Sequence, residues 1–215
     1  MTRVALPCLC LVTDRVLCRG RSLVAVVEQA LAGGVTMVQV REKELDTEAF
    51  IAVARAVHAC TRRSGVPLII NDRVEVALAV GAEGVHLGQR DRPVVEARRE
   101  LGAGAIIGLS VESEADVIAA EGWPVDYYGI SPVFATATKR DHAPALGLDG
   151  VRRLRMLTRR PLIGIGGIQA DNAGAVMEAG ADGVAVVSAV CAADDPEAAA
   201  RGLAAVIRPV REERT

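Results

Sequence analysis

Short runs of aliphatic and β-branched residues alternate along the chain with longer, Ala-rich stretches whose apolar positions recur at helical spacing. The runs predict strands at 6–13, 37–40, 68–71, 84–87, 106–110, 126–130, 162–165 and 184–187. Helical patterns lie between them, near 21–32, 47–63, 73–80, 93–101, 112–121, 148–158, 171–179 and 196–208. Eight strands, each followed by a helix, is the count of an α/β chain closed into a single (β/α)8 barrel of the TIM type. The strands rarely alternate apolar with polar residues, as expected of parallel strands covered on both faces. Three helix-to-strand junctions read alike: Ala32-Gly33-Gly34, Val80-Gly81-Ala82-Glu83-Gly84-Val85 and Ala179-Gly180-Ala181-Asp182-Gly183-Val184. In each a helix stops at Gly and the chain turns straight into a strand. Gly81 and Gly180 open nearly matching stretches 99 residues apart, an interval that holds four βα units and predicts half-barrel repetition. No linker or low-complexity stretch divides residues 1–215, so one domain is expected.

Composition narrows the function. The 215 residues are 51% apolar and 24% charged, enough for one sizeable core and near the lower end for a complete barrel. A net charge of −2 excludes a broadly basic surface, and 2% aromatic residues leave no stacking platform, so no nucleic-acid partner is expected. No uncharged run exceeds 12 residues, short of the roughly 18 that suggest a membrane span. The apolar opening is interrupted by Pro7 and followed by Asp14-Arg15, which suits a first buried strand better than a signal peptide. Five scattered cysteines, Cys8, Cys10, Cys18, Cys60 and Cys191, show no zinc-like spacing and read as small buried hydrophobes. The cytoplasm is the expected compartment.

In a parallel barrel, chemistry collects at the C-terminal ends of the strands. Strand two ends in Gln39-Val40-Arg41-Glu42-Lys43, which puts residues 39, 41 and 43 on one face if the strand persists. A planar guanidinium and a point ammonium together suit a diphosphate. Strand three ends in Asn71-Asp72, and strand four leads through His86-Leu87-Gly88-Gln89 to Asp91. Two carboxylates at neighbouring strand ends can share a Mg²⁺. Alternatively, Asp72 caps the helix at 73–80 and Asp91 precedes the helix after Pro93. Ser110 closes strand five, unless it merely caps the following helix. After strand six, Ser131-Pro132-Val133-Phe134-Ala135-Thr136-Ala137-Thr138-Lys139 offers two hydroxyls and a Lys, the makings of a mobile anion clamp. Gly164-Ile165-Gly166-Gly167 and Val187-Ser188 end strands seven and eight, where this architecture usually binds phosphate. His58, His86 and His142 show no ligand spacing and read as structural, and Trp123 reads as packing.

Taken in order, these segments resemble the thiamine phosphate synthase family. The resemblance rests on Leu11-Val12-Thr13-Asp14, Gln39-x-Arg41-x-Lys43, Ile69-Ile70-Asn71-Asp72-Arg73, Gly84-Val85-His86-Leu87-Gly88-Gln89-x-Asp91, Pro132-Val133-Phe134-x-Thr136-x-Thr138-Lys139, Ile165-Gly166-Gly167-Ile168 and Gly183-Val184-Ala185-Val186-Val187-Ser188. It implies a Mg²⁺-dependent transferase that joins hydroxymethylpyrimidine diphosphate to hydroxyethylthiazole phosphate, both small molecules. By the same resemblance, Gln39, Arg41, Lys43, Asn71, Ser110 and Lys139 hold the pyrimidine diphosphate, with Arg41, Lys43, Ser110 and Lys139 acting in catalysis. Asp72 and Asp91 hold the Mg²⁺, and Thr136, Thr138, Gly167, Val187 and Ser188 receive the thiazole phosphate. Departures are Cys10 where the family often has an aromatic residue, Ser131 for a common Gly, and Ala135 and Ala137 for common prolines. The last two leave the loop less rigid.

The rival readings are a thiazole tautomerase-like paralogue, a sugar-phosphate epimerase and a non-enzymatic binder of a thiamine precursor. The tautomerase resemblance calls for a His where this chain has Pro132, and an epimerase needs an acid/base pair that these strand ends lack. A homo-oligomer stays open.

Overall fold

In the computed structural model, residues 4–5, 8–136 and 144–212 are described. Eight parallel strands close into a barrel in chain order, with β1 completing the ring against β8. The strands are β1 (Cys8–Val12), β2 (Met37–Val40), β3 (Leu68–Asn71), β4 (Gly84–Leu87), β5 (Ile106–Val111), β6 (Tyr127–Ile130), β7 (Leu162–Ile165) and β8 (Gly183–Val186). The helices that follow them are α1 (Leu23–Ala32), α2 (Thr47–Arg63), α3 (Val74–Val80), α4 (Val94–Leu101), α5 (Glu114–Ala119), α6 (Gly147–Leu157) and α7 (Ala173–Glu178), then α8 (Ser188–Cys191) and α9 (Pro196–Glu212). The predicted order of elements is the observed one. The short α8 is an addition, because four residues are too few to show a helical period. Several helix ends also differ from the predicted ones, α1 and α7 starting two residues later. A capping box between Ser113 and Asp116 starts α5 later than predicted, and α9 runs on past Pro209.

The two faces of each strand enter two different cores. Cys8, Cys10, Met37, Ile69, Ile106, Tyr127, Ile163 and Ala185 point inward and fill the barrel. Their chain neighbours Leu9, Leu11, Val38, Leu68, Ile70, Ile107, Tyr128, Leu162 and Val184 point outward under the helices. Both faces being apolar explains why the strands show no apolar–polar alternation. All five cysteines are buried and free. Trp123, expected to pack, is 38% exposed, and its carbonyl accepts from Arg160. Among the described residues no helix is long and apolar enough to cross a membrane.

The lower rim carries a repeat finer than the half-barrel that the glycines predicted. A polar side chain just before each even strand accepts the N–H at the start of the odd strand before it. Thr36 Oγ1 takes Leu9 N (3.0 Å), Glu83 Oε2 takes Leu68 N (2.8 Å), Asp126 Oδ2 takes Ile107 N (2.7 Å) and Asp182 Oδ2 takes Leu162 N (3.0 Å). The three acids also meet a basic side chain from a helix: Glu83 meets His58 (3.2 Å), Asp126 meets Arg98 (2.6 Å) and Asp182 meets Arg155 (2.8 Å). His58 thus has the structural place expected of it.

Candidate active site

At the opposite rim, where the strands end, the barrel opens into a cavity of about 530 Å³. Gln39, Arg41 and Lys43 all border it, although β2 stops at Val40. The alternation continues past the strand because Arg41 N donates to Thr13 Oγ1 (3.2 Å). Glu42, on the other face, pairs with Arg15 (2.8 Å). The Lys43 ammonium meets the Asp72 carboxylate. Two further cations face the cavity differently: among the described residues, the guanidinium groups of Arg41 and Arg90 have no hydrogen-bond or ion-pair partner. Arg90 was not singled out from the sequence, since a loop residue carries no face assignment.

Asp72 adopts φ +62°, a left-handed conformation that a non-glycine residue rarely takes. Its N–H donates to His86 O (2.8 Å), and Arg73 N closes a tight turn onto Asn71 O (2.8 Å). Arg73 anchors the turn by donating to Leu45 O (3.1 Å) and Thr47 Oγ1, with its guanidinium 5.7 Å from the Phe50 ring centre. The turn directs Asp72 to the cavity. It does not cap α3, whose cap position is Arg73 with no side-chain capping bond. Nor does Asp91 cap α4: its Oδ2 accepts Gly88 N (2.6 Å). Burial pushes the Asp91 carboxyl above its usual range. The Gly88 N–H opposes that rise, the adjoining Asp72 carboxylate adds to it, and Lys43 opposes it. Two carboxylates therefore lie side by side with one ammonium among them.

Ser110 also takes the cavity rather than a helix end, since the α5 cap is Ser113. The hydroxyl lies 2.9 Å from His86 Nε2, and His86 Nδ1 lies 3.0 Å from the Tyr127 hydroxyl. Both rings line the cavity, so reading His86 as purely structural missed its position. Inward glycines facing it on β5 and β6 were the available signal. A Cβ on Gly108 would sit 2.5 Å from His86 Nδ1, and one on Gly129 would sit 2.7 Å from His86 Cε1.

Asn71, Thr136, Gly167, Val187 and Ser188 complete the set of predicted residues that border the cavity. Gly166 (φ +103°) and Gly167 (φ +63°) pass beneath residues 132–135, where a Cβ would come within 2.7 Å of Pro132 Cβ and Ala135 O respectively. Val133 N and Phe134 N donate to Ile165 O (2.9 Å) and Gly166 O (3.0 Å), tying that segment to the end of β7. Thr138 and Lys139, with Ala137 and His142, lie outside the described residues.

A family profile described as Thiamine monophosphate synthase matches residues 9–190. A thiamine-phosphate synthase of Albidiferax ferrireducens is 54% identical over 200 residues, 93% of this chain and 91% of its own length. One from Chloroflexus aurantiacus is 52% identical over 201 residues, 94% and 93% of the two chains. The solved thiamine phosphate pyrophosphorylase of Pyrococcus furiosus superposes with a TM-score of 0.86 at 37% identity, covering 94% of this chain and 96% of that one. A barrel of the same order, matched over nearly its whole length at such identity, leads to one conclusion: the chain belongs to the thiamine monophosphate synthase family and is a transferase of that type.

Proposed function

We propose that this chain joins 4-amino-2-methyl-5-(diphosphomethyl)pyrimidine to hydroxyethylthiazole phosphate, giving thiamine phosphate and diphosphate, as a cytoplasmic enzyme. The observation that carries the reading is the convergence of Arg41, Lys43, Asp72, Asp91 and Ser110 on one cavity. Cys10, Tyr127, Ile163 and Ala185 form its apolar floor, which suits a flat heteroaromatic ring.

The paired carboxylates fit a Mg²⁺ ion, which commonly takes one or two carboxylates and fills its other positions with water and phosphate. Asp72 and Asp91 would hold it, and when bound it supplies positive charge against the departing diphosphate. The Arg41 fork grips diphosphate oxygens, and Lys43 adds a second cation beside Asp72. Ser110 donates a hydrogen bond to the same group, and by the family resemblance Lys139 supplies a further cation to it. Gln39 and Asn71 orient the pyrimidine. Thr136, Thr138, Gly167, Val187 and Ser188 receive the thiazole phosphate.

The departing bond breaks ahead of attack, because the ring amino group feeds electrons to the methylene carbon. The thiazole nitrogen attacks as a neutral nucleophile, so no general base is required. The protein's task is to stabilise the leaving group and align the two rings. The test is to incubate the protein with both precursors, with and without Mg²⁺, and measure thiamine phosphate. Asp72→Ala or Lys139→Ala is expected to cut turnover at least ~100-fold, the usual scale for lost leaving-group stabilisation. Near-normal turnover in both variants overturns the assignment.

A further inference from the structure

The hydroxyl of Ser110 ends a chain of buried hydrogen bonds whose direction can be worked out. At its inner end, Tyr127 is 2% exposed within a pack of Cys8, Cys10, Met37, Ile69, Ile106 and Ile163. Burial keeps the phenol protonated well above its usual range. Among the described residues its hydroxyl has one hydrogen-bond partner, His86 Nδ1 at 3.0 Å. A phenol proton without an acceptor is costly in such a place, so the hydroxyl donates to Nδ1. A neutral imidazole that accepts at Nδ1 carries its own proton on Nε2. That N–H then donates to Ser110 Oγ at 2.9 Å. Since the serine oxygen is accepting, its proton turns elsewhere, and Ser110 borders the cavity. Gln89 Nε2 holds the Ser110 carbonyl (2.7 Å) and steadies the residue.

The reverse direction serves an anion badly. With Nδ1 protonated, Ser110 would donate inward to Nε2 and turn its lone pairs toward bound phosphate oxygens, which only accept. The two glycines opposite His86 leave room for this tilted contact between the rings, with centroids 5.5 Å apart.

We propose that Tyr127 and His86 are positioning residues that fix the polarity of the Ser110 hydroxyl, so that it presents a proton to the diphosphate of the pyrimidine substrate. The proposal rests on the reading of the cavity given above. Two measurements on the full chain test it. In ¹⁵N-histidine spectra, with His86→Gln supplying the assignment, wild-type His86 is expected as the Nε2–H tautomer, and Tyr127→Phe shifts it toward Nδ1–H. Calorimetric titration with inorganic diphosphate and Mg²⁺ is expected to show about ten-fold weaker binding in both Tyr127→Phe and Ser110→Ala, the scale of one hydrogen bond to a charged group. The double variant should bind within about two-fold of Ser110→Ala, because both changes remove the same donor.

A wild-type Nδ1–H tautomer, or two losses that simply multiply, overturns the proposal. Neither measurement needs turnover, so absence of thiamine phosphate synthesis would sink the functional reading while leaving this inference to its own result. Turnover with an Nδ1–H tautomer would do the opposite.

Discussion

Arg90 shows how one side chain contributes to this site without a fixed partner. It is exposed at the cavity rim beside Asp91, whereas Lys43 is already engaged with Asp72. An unpaired rim cation draws an incoming anion by long-range attraction, which salt screens over about 8 Å at physiological strength. Arg90→Glu is therefore expected to lower kcat/KM for the pyrimidine diphosphate about 3- to 10-fold while kcat stays within about two-fold. The deficit should shrink in high salt, and a deficit that salt leaves unchanged would argue against steering. Residues such as 39, 41 and 43 were legible from the sequence because a strand fixes which way alternate side chains point. Arg90 was not, since its loop has no such period. His86 had the right parity, but its purpose depends on what β5 and β6 leave empty, and a single strand's sequence does not say which glycines stand opposite.

At the scale of elements, the strand order and most boundaries were legible because each helix stops at a glycine or turn that feeds the next strand. The lower-rim bonds were less legible, since Glu83, Asp126 and Asp182 look like ordinary loop acids until their partners are known. Asp182 joins two elements, taking Leu162 N at the start of β7 and Arg155 from α6. Asp182→Ala takes the acceptor from Leu162 N and from Arg155 Nη1, while Arg155 Nη2 keeps the carbonyls of Thr158 and Arg160, a loss of about 2–3 kcal/mol. Thermal unfolding should shift down by roughly 5–10 °C, with kcat unchanged because the cavity is at the other rim. Asp182→Asn keeps an acceptor for Leu162 N and should lose less. Equal losses from the two variants would deny the backbone bond its share.

For the whole molecule, the buried thiols link stability to alkali. Desolvation pushes Cys8 and Cys191 up to about 12, against an ordinary value of 9.0, with Thr36 partly opposing it at Cys8 and the Asp14 backbone at Cys191. Above pH 9 the unfolded chain releases protons that the folded barrel keeps, so stability present below that point falls as pH rises toward 12. Urea midpoints measured from about pH 7 to about pH 10.5 are expected to decline only over the upper part of the range, and a flat profile would count against it.

The lower rim finally bears on how the ring assembles. Its four backbone staples span 27, 15, 19 and 20 residues, so each βαβ pair can set its own spacing from nearby chain. Joining the first strand to the last is another matter: Cys8 N reaches Asp182 O, and Arg21 reaches the carbonyls of Cys191 and Ala193 about 170 residues away. Closing so long a loop carries the larger entropic cost. That seam pairs β1 with β8, which leads into Val187 and Ser188, so the proposed thiazole phosphate pocket is completed across one of the longest-range pairings among the described residues.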